Sequence, residues 1–183
     1  MKTITNILTL FLVLSAASLF AQETDYSKYP GYANFGNLEA LQDGEMVTEI
    51  LVEEKLLKMV SKFTKDDDEL SSLIGGLKLI KVNTFEVTEQ NADELMSRAN
   101  KIDKELVSKK WDRIVKTKSR GEVANVYIKT QGEDQFVGLT VVTVDKGGEA
   151  AFINIVGTIN MDALGKLGQK FDIPGLDDIK NSK

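Results

Sequence analysis

The 183-residue sequence contains no cysteine and no histidine. Their absence excludes a Ser-His-Asp triad, a thiol nucleophile and the common zinc sites, because all of these depend on those side chains. The chain also lacks the glycine-rich phosphate-binding patterns and the G-x-S-x-G nucleophile pattern. An enzyme built from this chain would have to rely on carboxylates, lysines, hydroxyls or tyrosines.

Carboxylate pairs are the catalytic alternative that remains, because two acids across a cleft support glycoside hydrolysis. The chain has 28 Asp and Glu residues, and no spacing singles out a pair among them. The acids that such a site could use are Asp25, Glu53, Glu86, Asp145 and Asp172. We predict no enzyme activity, no catalytic residue and no cofactor.

The acidic run Asp66-Asp67-Asp68 raises the question of a calcium site. An EF-hand loop needs oxygen ligands at alternating positions, a central glycine and a terminal glutamate. The run instead leads directly into Leu70 and Leu73, so it does not match that loop. We interpret it as the solvated start of a helix, where acidic residues are favoured, and predict no metal site.

The N-terminus has the three parts of a secretory signal. Lys2 is followed by the apolar run Ile7–Leu14 and by small residues that end at Ala21. We expect cleavage between Ala21 and Gln22, which makes the protein periplasmic or extracellular and leaves no transmembrane span. The alternative is an uncleaved anchor, because Leu19 is large for the position three residues before the cut. The absence of cysteine excludes a lipoprotein anchor and disulfide bonds, so the hydrophobic core must stabilise the fold.

Length and composition predict a single folded domain. Removing 21 of the 183 residues leaves 162, and 42% of the chain is hydrophobic, which suits one core. We divide the chain into a signal peptide (1–21), an aromatic N-terminal arm (22–44), an α+β domain (45–176) and a C-terminal tail (177–183). The net charge of −5 does not favour nucleic acid as a partner.

The N-terminal arm carries four aromatic residues around a Pro30-Gly31 turn: Tyr26, Tyr29, Tyr32 and Phe35. We predict an extended segment that packs on the domain, because aromatic side chains bury large areas. The alternative is an exposed aromatic stripe that binds a carbohydrate or a partner.

Hydrophobic periodicity predicts three main helices. The first runs from about Glu53 to Phe63, with lysines opposite an apolar stripe of Leu56, Leu57, Val60 and Phe63. The second opens at Asn91, which forms a capping pair with Glu94, and has Lys109 and Lys110 in its last turn. The third opens at Asn160, with Met161, Leu164, Leu167 and Phe171 toward the core.

Strand patterns complete an α+β fold with the order β-α-β-α-β-β-β-β-α. Strands are predicted before and after the first helix, and a short helix lies between the acidic run and Gly75-Gly76. After Trp111 the apolar period becomes two, and short turns predict an antiparallel meander of Asp112–Lys118, Val123–Thr130, Phe136–Asp145 and Ala150–Thr158. In the second of these, Asn125, Tyr127 and Lys129 are expected to point outward. We predict a mostly antiparallel sheet with helices packed on one face.

Charge is unevenly distributed along the chain. The stretch Arg98–Arg120 has nine Lys or Arg against three Asp or Glu, whereas Gln22–Glu54 has one Lys against eight acids. The basic stretch could meet an acidic partner, anionic lipid or the acidic arm of another molecule, although an ordinary solvated face is the alternative. The candidate interaction surface consists of Lys101, Lys104, Lys109, Lys110, Arg113, Lys116 and Lys118.

Several segments resemble the bacterial family known as domain of unknown function 4252. They are YPGYANFGNL (Tyr29–Leu38), GLKLIKVNTFEV (Gly76–Val87), WDRIVKTKSRGEVANVYIK (Trp111–Lys129) and INIVGTINMDALGKLGQKFDIPGLD (Ile153–Asp177), the closing KFDIPGLD being the most specific. The resemblance implies an exported α+β domain of the bacterial envelope and brings no catalytic or binding residues with it. Some relatives are encoded near sigma and anti-sigma regulators, and the resemblance therefore implies a role in envelope signalling.

These observations favour a non-enzymatic periplasmic binding or protein-interaction module, with another envelope protein as its partner. One alternative is a carrier of small molecules or lipids, with a pocket between the sheet and its helices. The other is a carboxylate-based hydrolase, which requires two converging acids and a raised pKa.

Overall fold

A computed structural model describes residues 24–38, 47–64, 68–119, 121–132 and 135–159. The predicted signal peptide, the predicted last helix and most of the acidic run at 66–68 lie outside the described residues. After a short turn at Tyr26–Lys28 the elements are β1 (Val47–Glu53), α1 (Glu54–Phe63), α2 (Asp68–Gly76), β2 (Leu77–Glu86), α3 (Ala92–Ser108), β3 (Asp112–Ser119), β4 (Glu122–Gln131), β5 (Gln135–Asp145) and β6 (Glu149–Ile159).

The strands form one six-stranded antiparallel sheet in the order β1-β2-β6-β5-β4-β3. Helix α3 carries the chain from β2 to the far edge, and the meander β3-β4-β5-β6 then returns until β6 pairs with β2. The predicted single-domain α+β class and the antiparallel meander are confirmed. Strands β1 and β3 are the two edges of the sheet.

Hydrophobic side chains occupy both faces of this sheet. On the face that we call the α3 face, Tyr127, Val142 and Phe152 pack with the buried side of α3. On the opposite face, the α1 face, Leu139 and Val141 pack with Leu57 of α1. Successive residues of a strand point to opposite faces, so a strand that is apolar throughout needs cover on both. The helices therefore lie on two faces, whereas the sequence predicted helices on one.

The orientation of β4 also differs from the prediction. Tyr127 is fully buried and Asn125 almost so, although both were expected to point outward. They lie on the α3 face, while Val126 lies on the α1 face and is equally buried. An alternating pattern identifies the two faces of a strand, but it cannot show that the polar set is covered by a helix.

Helix α1 begins and ends close to its predicted bounds, but it presents a different side to the domain. Leu57 is 4% exposed, whereas Phe63 is 82% exposed and Leu56 and Val60 are also exposed. Of the apolar stripe that predicted the helix, only Leu57 packs on the sheet. Most of that stripe faces away from the described core.

The arm crosses the α3 face in extended form and is held by its backbone. Ala33, Phe35 and Leu38 are buried in the core beneath it. At the crossing point, a Cβ on Gly31 would lie 1.8 Å from the carbonyl oxygen of Val137 in β5. Only glycine allows so close an approach of two backbones.

Helix α3 begins at Ala92 with a capping arrangement different from the predicted one. The Asn91 side chain makes no hydrogen bond to the first turn. Its Oδ1 accepts a bond from the backbone N–H of Thr88 at 2.8 Å, and the Thr88 hydroxyl accepts one from the N–H of Asn91 at 3.3 Å. This reciprocal pair is a capping box that starts three residues earlier than expected, with asparagine in the place usually taken by Glu or Gln.

Candidate interaction surface

The C-terminal end of α3 forms one border of the basic region. The N–H of Trp111 bonds to the carbonyl of Leu106, and that of Lys110 bonds to the carbonyl of Val107, which is the Schellman pattern. Lys110 occupies the left-handed position with φ 59°. Both Leu106 and Trp111 are buried, so the helix end is anchored in the core. Lys109 and Lys110 thus lie just beyond the last helical residue instead of within the last turn.

Lys129 of β4 stabilises this helix end from the neighbouring strand. Its ammonium group donates to the carbonyl oxygens of Lys109 and Lys110 at 2.7 and 2.9 Å. A cation is favoured there because the last carbonyls of a helix carry partial negative charge. Lys129 was expected to point outward, and no local pattern in the sequence connects it to α3.

A three-residue network joins α3 to the edge of the sheet. The carboxylate of Asp103 accepts a bond from the buried Tyr127 hydroxyl at 2.7 Å and forms an ion pair with Arg113 of β3. Register explains the meeting, because Arg113 pairs with Tyr127 across the β3–β4 ladder and both point to the α3 face. Asp103 is one of only three acids in the basic stretch, which is the one sequence signal that could have identified it.

The network shifts the pKa values of its members in opposite directions. Burial alone would raise the pKa of Asp103, but the hydrogen bonds from Tyr127 and Arg113 outweigh it and hold that pKa below the usual range. Burial and the neighbouring carboxylate raise the pKa of Tyr127 far above its usual value. The hydrogen bond to Asp103 raises the pKa of Arg113. Asp103 is therefore ionised and Tyr127 protonated at neutral pH.

The seven cations of the predicted surface divide into two groups. Arg113 is held by Asp103, and Lys109 forms a 2.6 Å ion pair with Glu105 one turn earlier. The other five are exposed and make no ion pair within the described residues: Lys101, Lys104, Lys110, Lys116 and Lys118. Those five supply free positive charge, whereas Arg113 is a structural residue.

The structure brings part of this set together. Lys116 lies on the same side of β3 as Arg113, close enough to lower the pKa of Asp103. On α3, Lys101 and Lys104 line an open hollow of about 470 Å³ together with Asp93, Met96, Ser97 and Asn100. Lys118 extends the basic row along β3, which is an edge strand of the described sheet.

Two exposed apolar side chains lie among these cations. Val107 follows Asp103 by one turn of α3, so it lies on the side of the helix that meets β3. Ile114 lies on β3 at an irregularity in its pairing with β4, between Arg113 and Val115. Cations and exposed apolar side chains on α3 and on an edge strand of the described sheet form a surface suited to binding an acidic protein.

Features that would support a pocket or an acid catalyst are weak in the described ranges. A hollow of about 370 Å³ lies between the arm and β1, and another of about 150 Å³ lies beside Tyr29, but both are open to solvent and lined by mixed polar and apolar groups. Every described carboxylate with a shifted pKa has it lowered: Asp25, Glu54, Asp93 and Asp103. A general acid requires the opposite shift.

Asp172 lies outside the described residues, and the other four acids considered above are exposed. Asp25 and Glu53 both line the open hollow between the arm and β1, where hydrogen bonds from Ser27 lower the pKa of Asp25. Within the described part of the chain, no group of three or more acids could hold a metal ion. Among the described helices, none is long and apolar enough to cross a membrane.

Comparison with known proteins identifies one family. The family model described as Domain of unknown function (DUF4252) matches residues 40–167, which include all six strands and all three described helices. No curated protein and no solved structure matches the chain.

Proposed function

The chain belongs to the family described as domain of unknown function (DUF4252), and from that premise we propose that it is an exported, non-enzymatic interaction module of the bacterial envelope. Its partner is another envelope protein with an acidic surface. The binding surface is the free basic patch, which we define as Lys101, Lys104, Lys116 and Lys118 with the exposed Val107 and Ile114.

One observation carries the proposal: four exposed lysines, unpaired within the described ranges, share α3 and β3 with two exposed apolar side chains, and β3 is an edge strand of the described sheet. Lys109 and Arg113 are paired with acids of α3, whereas the four lysines of the patch form no ion pair within the described ranges. Unpaired cations around an apolar centre resemble the arrangement of a protein interface, in which charged rims steer association. A role in envelope signalling is compatible with such a module.

The carrier and hydrolase alternatives have less support. The hollows beside the arm and β1 are open, whereas a carrier needs an enclosed apolar cavity. The lowered carboxylate pKa values supply no general acid. The proposal therefore rests on surface recognition.

Export predicts a specific N-terminus. Protein recovered from the periplasmic fraction of producing cells should start at Gln22 when its N-terminal sequence is read, because the small Ala21 precedes the expected cut. A variant with Ala21→Phe should accumulate unprocessed, since the peptidase accepts small residues at that position. A start at Met1 in the wild-type protein would contradict cleavage and favour an anchored N-terminus.

The interaction predicts that charge reversal on the patch removes partner recovery. In a crosslinking pull-down from the native envelope, Lys104→Glu/Lys116→Glu should reduce recovery of the specific partner at least ~10-fold, because like charges then oppose an acidic surface. Both side chains are exposed and unpaired within the described residues, so the fold should be unaffected.

The matched control is Lys28→Glu/Lys81→Glu, which makes the same charge change on the arm and on β2, away from the patch and from α1. Recovery that is unchanged in the patch variant would contradict the assigned surface. An equal loss of partner recovery in both variants would show that only net charge matters, and this result would also contradict the assigned surface.

A further inference from the structure

Helix α1 divides into three sides, and its most apolar side is not the one that packs on the domain. At about 100° per residue, Glu54, Leu57, Ser61 and Thr64 share one side, and all four are buried or half-buried. A second side carries Leu56, Met59, Val60 and Phe63, which are 45%, 48%, 39% and 82% exposed. We call this second side the α1 stripe. The third side carries Lys55, Lys58 and Lys62, all exposed.

Polar contacts fix this orientation. The Ser71 hydroxyl of α2 donates to the carbonyl oxygen of Ser61 at 2.9 Å, so α2 lies on the domain side of α1. Glu54 pairs with Lys78 of β2 at 2.7 Å, which holds the first turn against the sheet. Because these contacts lie away from the α1 stripe, the helix is anchored while its large apolar side chains stay in solvent.

An amphipathic helix in a soluble domain normally buries its apolar stripe, because each large side chain gains free energy when it leaves water. Four adjacent exposed apolar residues on one helix therefore indicate a binding face. The stripe is a convex ridge, and no α1 residue lines any of the three hollows described above. A projecting helix surface of this kind fits into a lipid bilayer or into a groove on another protein.

Charge indicates which occupant fits. Lys55 and Lys62 make no ion pair within the described ranges, and the only acid of α1, Glu54, is already held by Lys58 and Lys78. A second copy of α1 thus offers no anionic complement to the lysine row. Residues 160–171 of this chain offer one Asp against two Lys, and the acidic stretches 39–45 and 172–178 each offer three acids but no more than two large apolar side chains. An anionic bilayer offers negatively charged headgroups and an apolar interior together.

We propose that α1 is a membrane-surface helix, whose α1 stripe enters the headgroup and acyl boundary of an anionic bilayer while its lysines contact lipid phosphates. Helix α3 packs on the opposite face of the sheet, so the basic patch stays accessible to a protein partner when α1 is on the membrane. The two surfaces are separate, and failure of either assignment leaves the other intact.

Vesicle binding tests this proposal. The protein purified from producing cells should cosediment with vesicles containing phosphatidylglycerol and bind pure phosphatidylcholine vesicles more weakly, with binding that falls as salt rises. Phe63→Ser should reduce the partition coefficient at least ~10-fold, because it removes the largest inserted side chain. Lys55→Gln/Lys62→Gln should reduce binding only to the anionic vesicles.

Controls distinguish the lipid from other occupants. Leu51→Ser removes an exposed apolar side chain from β1, at the hollow beside the arm, and should leave vesicle binding unchanged. Circular dichroism should show all variants folded. Absence of wild-type binding, or full binding by Phe63→Ser, would overturn the proposal. It would also be overturned if Phe63→Ser instead abolished a concentration-dependent dimer in sedimentation velocity, or binding to an acidic protein, without any vesicle binding.

Discussion

Replacing Asn154 by leucine is expected to lower the free energy of unfolding by about 3–5 kcal/mol. The fully buried Asn154 accepts a bond from the N–H of Ala33 at 3.0 Å and donates to the carbonyl oxygen of Gly31 at 3.0 Å. It also donates to Thr140 and to the carbonyl of Leu139 within the sheet. Leucine has a similar volume, so the loss should come from buried partners left without hydrogen bonds.

Chemical denaturation measures this change, and the sole tryptophan reports where it occurs. Trp111 is buried, and its ring lies against Gly138 at the point where the arm crosses. Release of the arm should therefore shift the Trp111 emission to longer wavelength before global unfolding. Asn100→Leu is the control, because the exposed Asn100 bonds only to a carbonyl of its own helix. A loss under about 1 kcal/mol for Asn154→Leu would contradict the anchoring role.

Replacing Asp103 by asparagine should lower stability by about 2–3 kcal/mol at pH 7. The amide cannot neutralise Arg113, and it places an N–H group against other donors in a site that is only partly open to water. The Tyr127 hydroxyl then loses its charged acceptor. Urea titration of the variant and the wild type measures the difference.

The same substitution should change how stability depends on pH. The pKa of Asp103 is lower in the folded protein than in the unfolded chain, where it is about 3.9. The stabilisation is therefore complete above that unfolded value and is lost as pH falls through the folded pKa. The stability gap between wild type and Asp103→Asn should be constant from pH 7 to about pH 5 and then shrink.

Asp93→Asn is the matched control for acid behaviour. Like Asp103, Asp93 forms an ion pair, in its case with Lys146, but the Asp93 side chain is almost fully exposed. Surface pairs of this kind contribute little, because water and salt screen them. A gap for Asp103→Asn that stayed constant down to pH 3 would contradict the role of its charge.

Most of the secondary structure could be predicted from local patterns. The period-two runs after Trp111 placed all four strands of the meander within one or two residues of their observed ends. The run VGLTVVTV in β5 is apolar on both faces and predicts a central strand, and β5 lies inside the sheet. These predictions succeed because the side-chain periods of a strand and of a helix are set by the local backbone and are visible within a few residues.

The candidate surface was predictable only as a surplus of positive charge between residues 98 and 120. The sequence could not separate Lys116, which is free within the described ranges, from Arg113, which is held by Asp103. That pairing depends on α3 crossing the sheet so that residue 103 reaches β3. Lys129 was missed for the same reason, since its acceptors at the end of α3 are 19 and 20 residues away.

The sequence by itself determined the α+β class, the family and the positions of the strands and described helices, because hydrophobic period and turn residues are local properties. The tertiary structure alone decided which apolar surfaces are covered. It placed helices on both faces of the sheet, buried Tyr127 beneath α3, and turned α1 so that Phe63 remains in water. Coverage depends on contacts between distant segments, such as the Asn154 anchor for Gly31 and Ala33, and hydrophobic periodicity does not record those contacts.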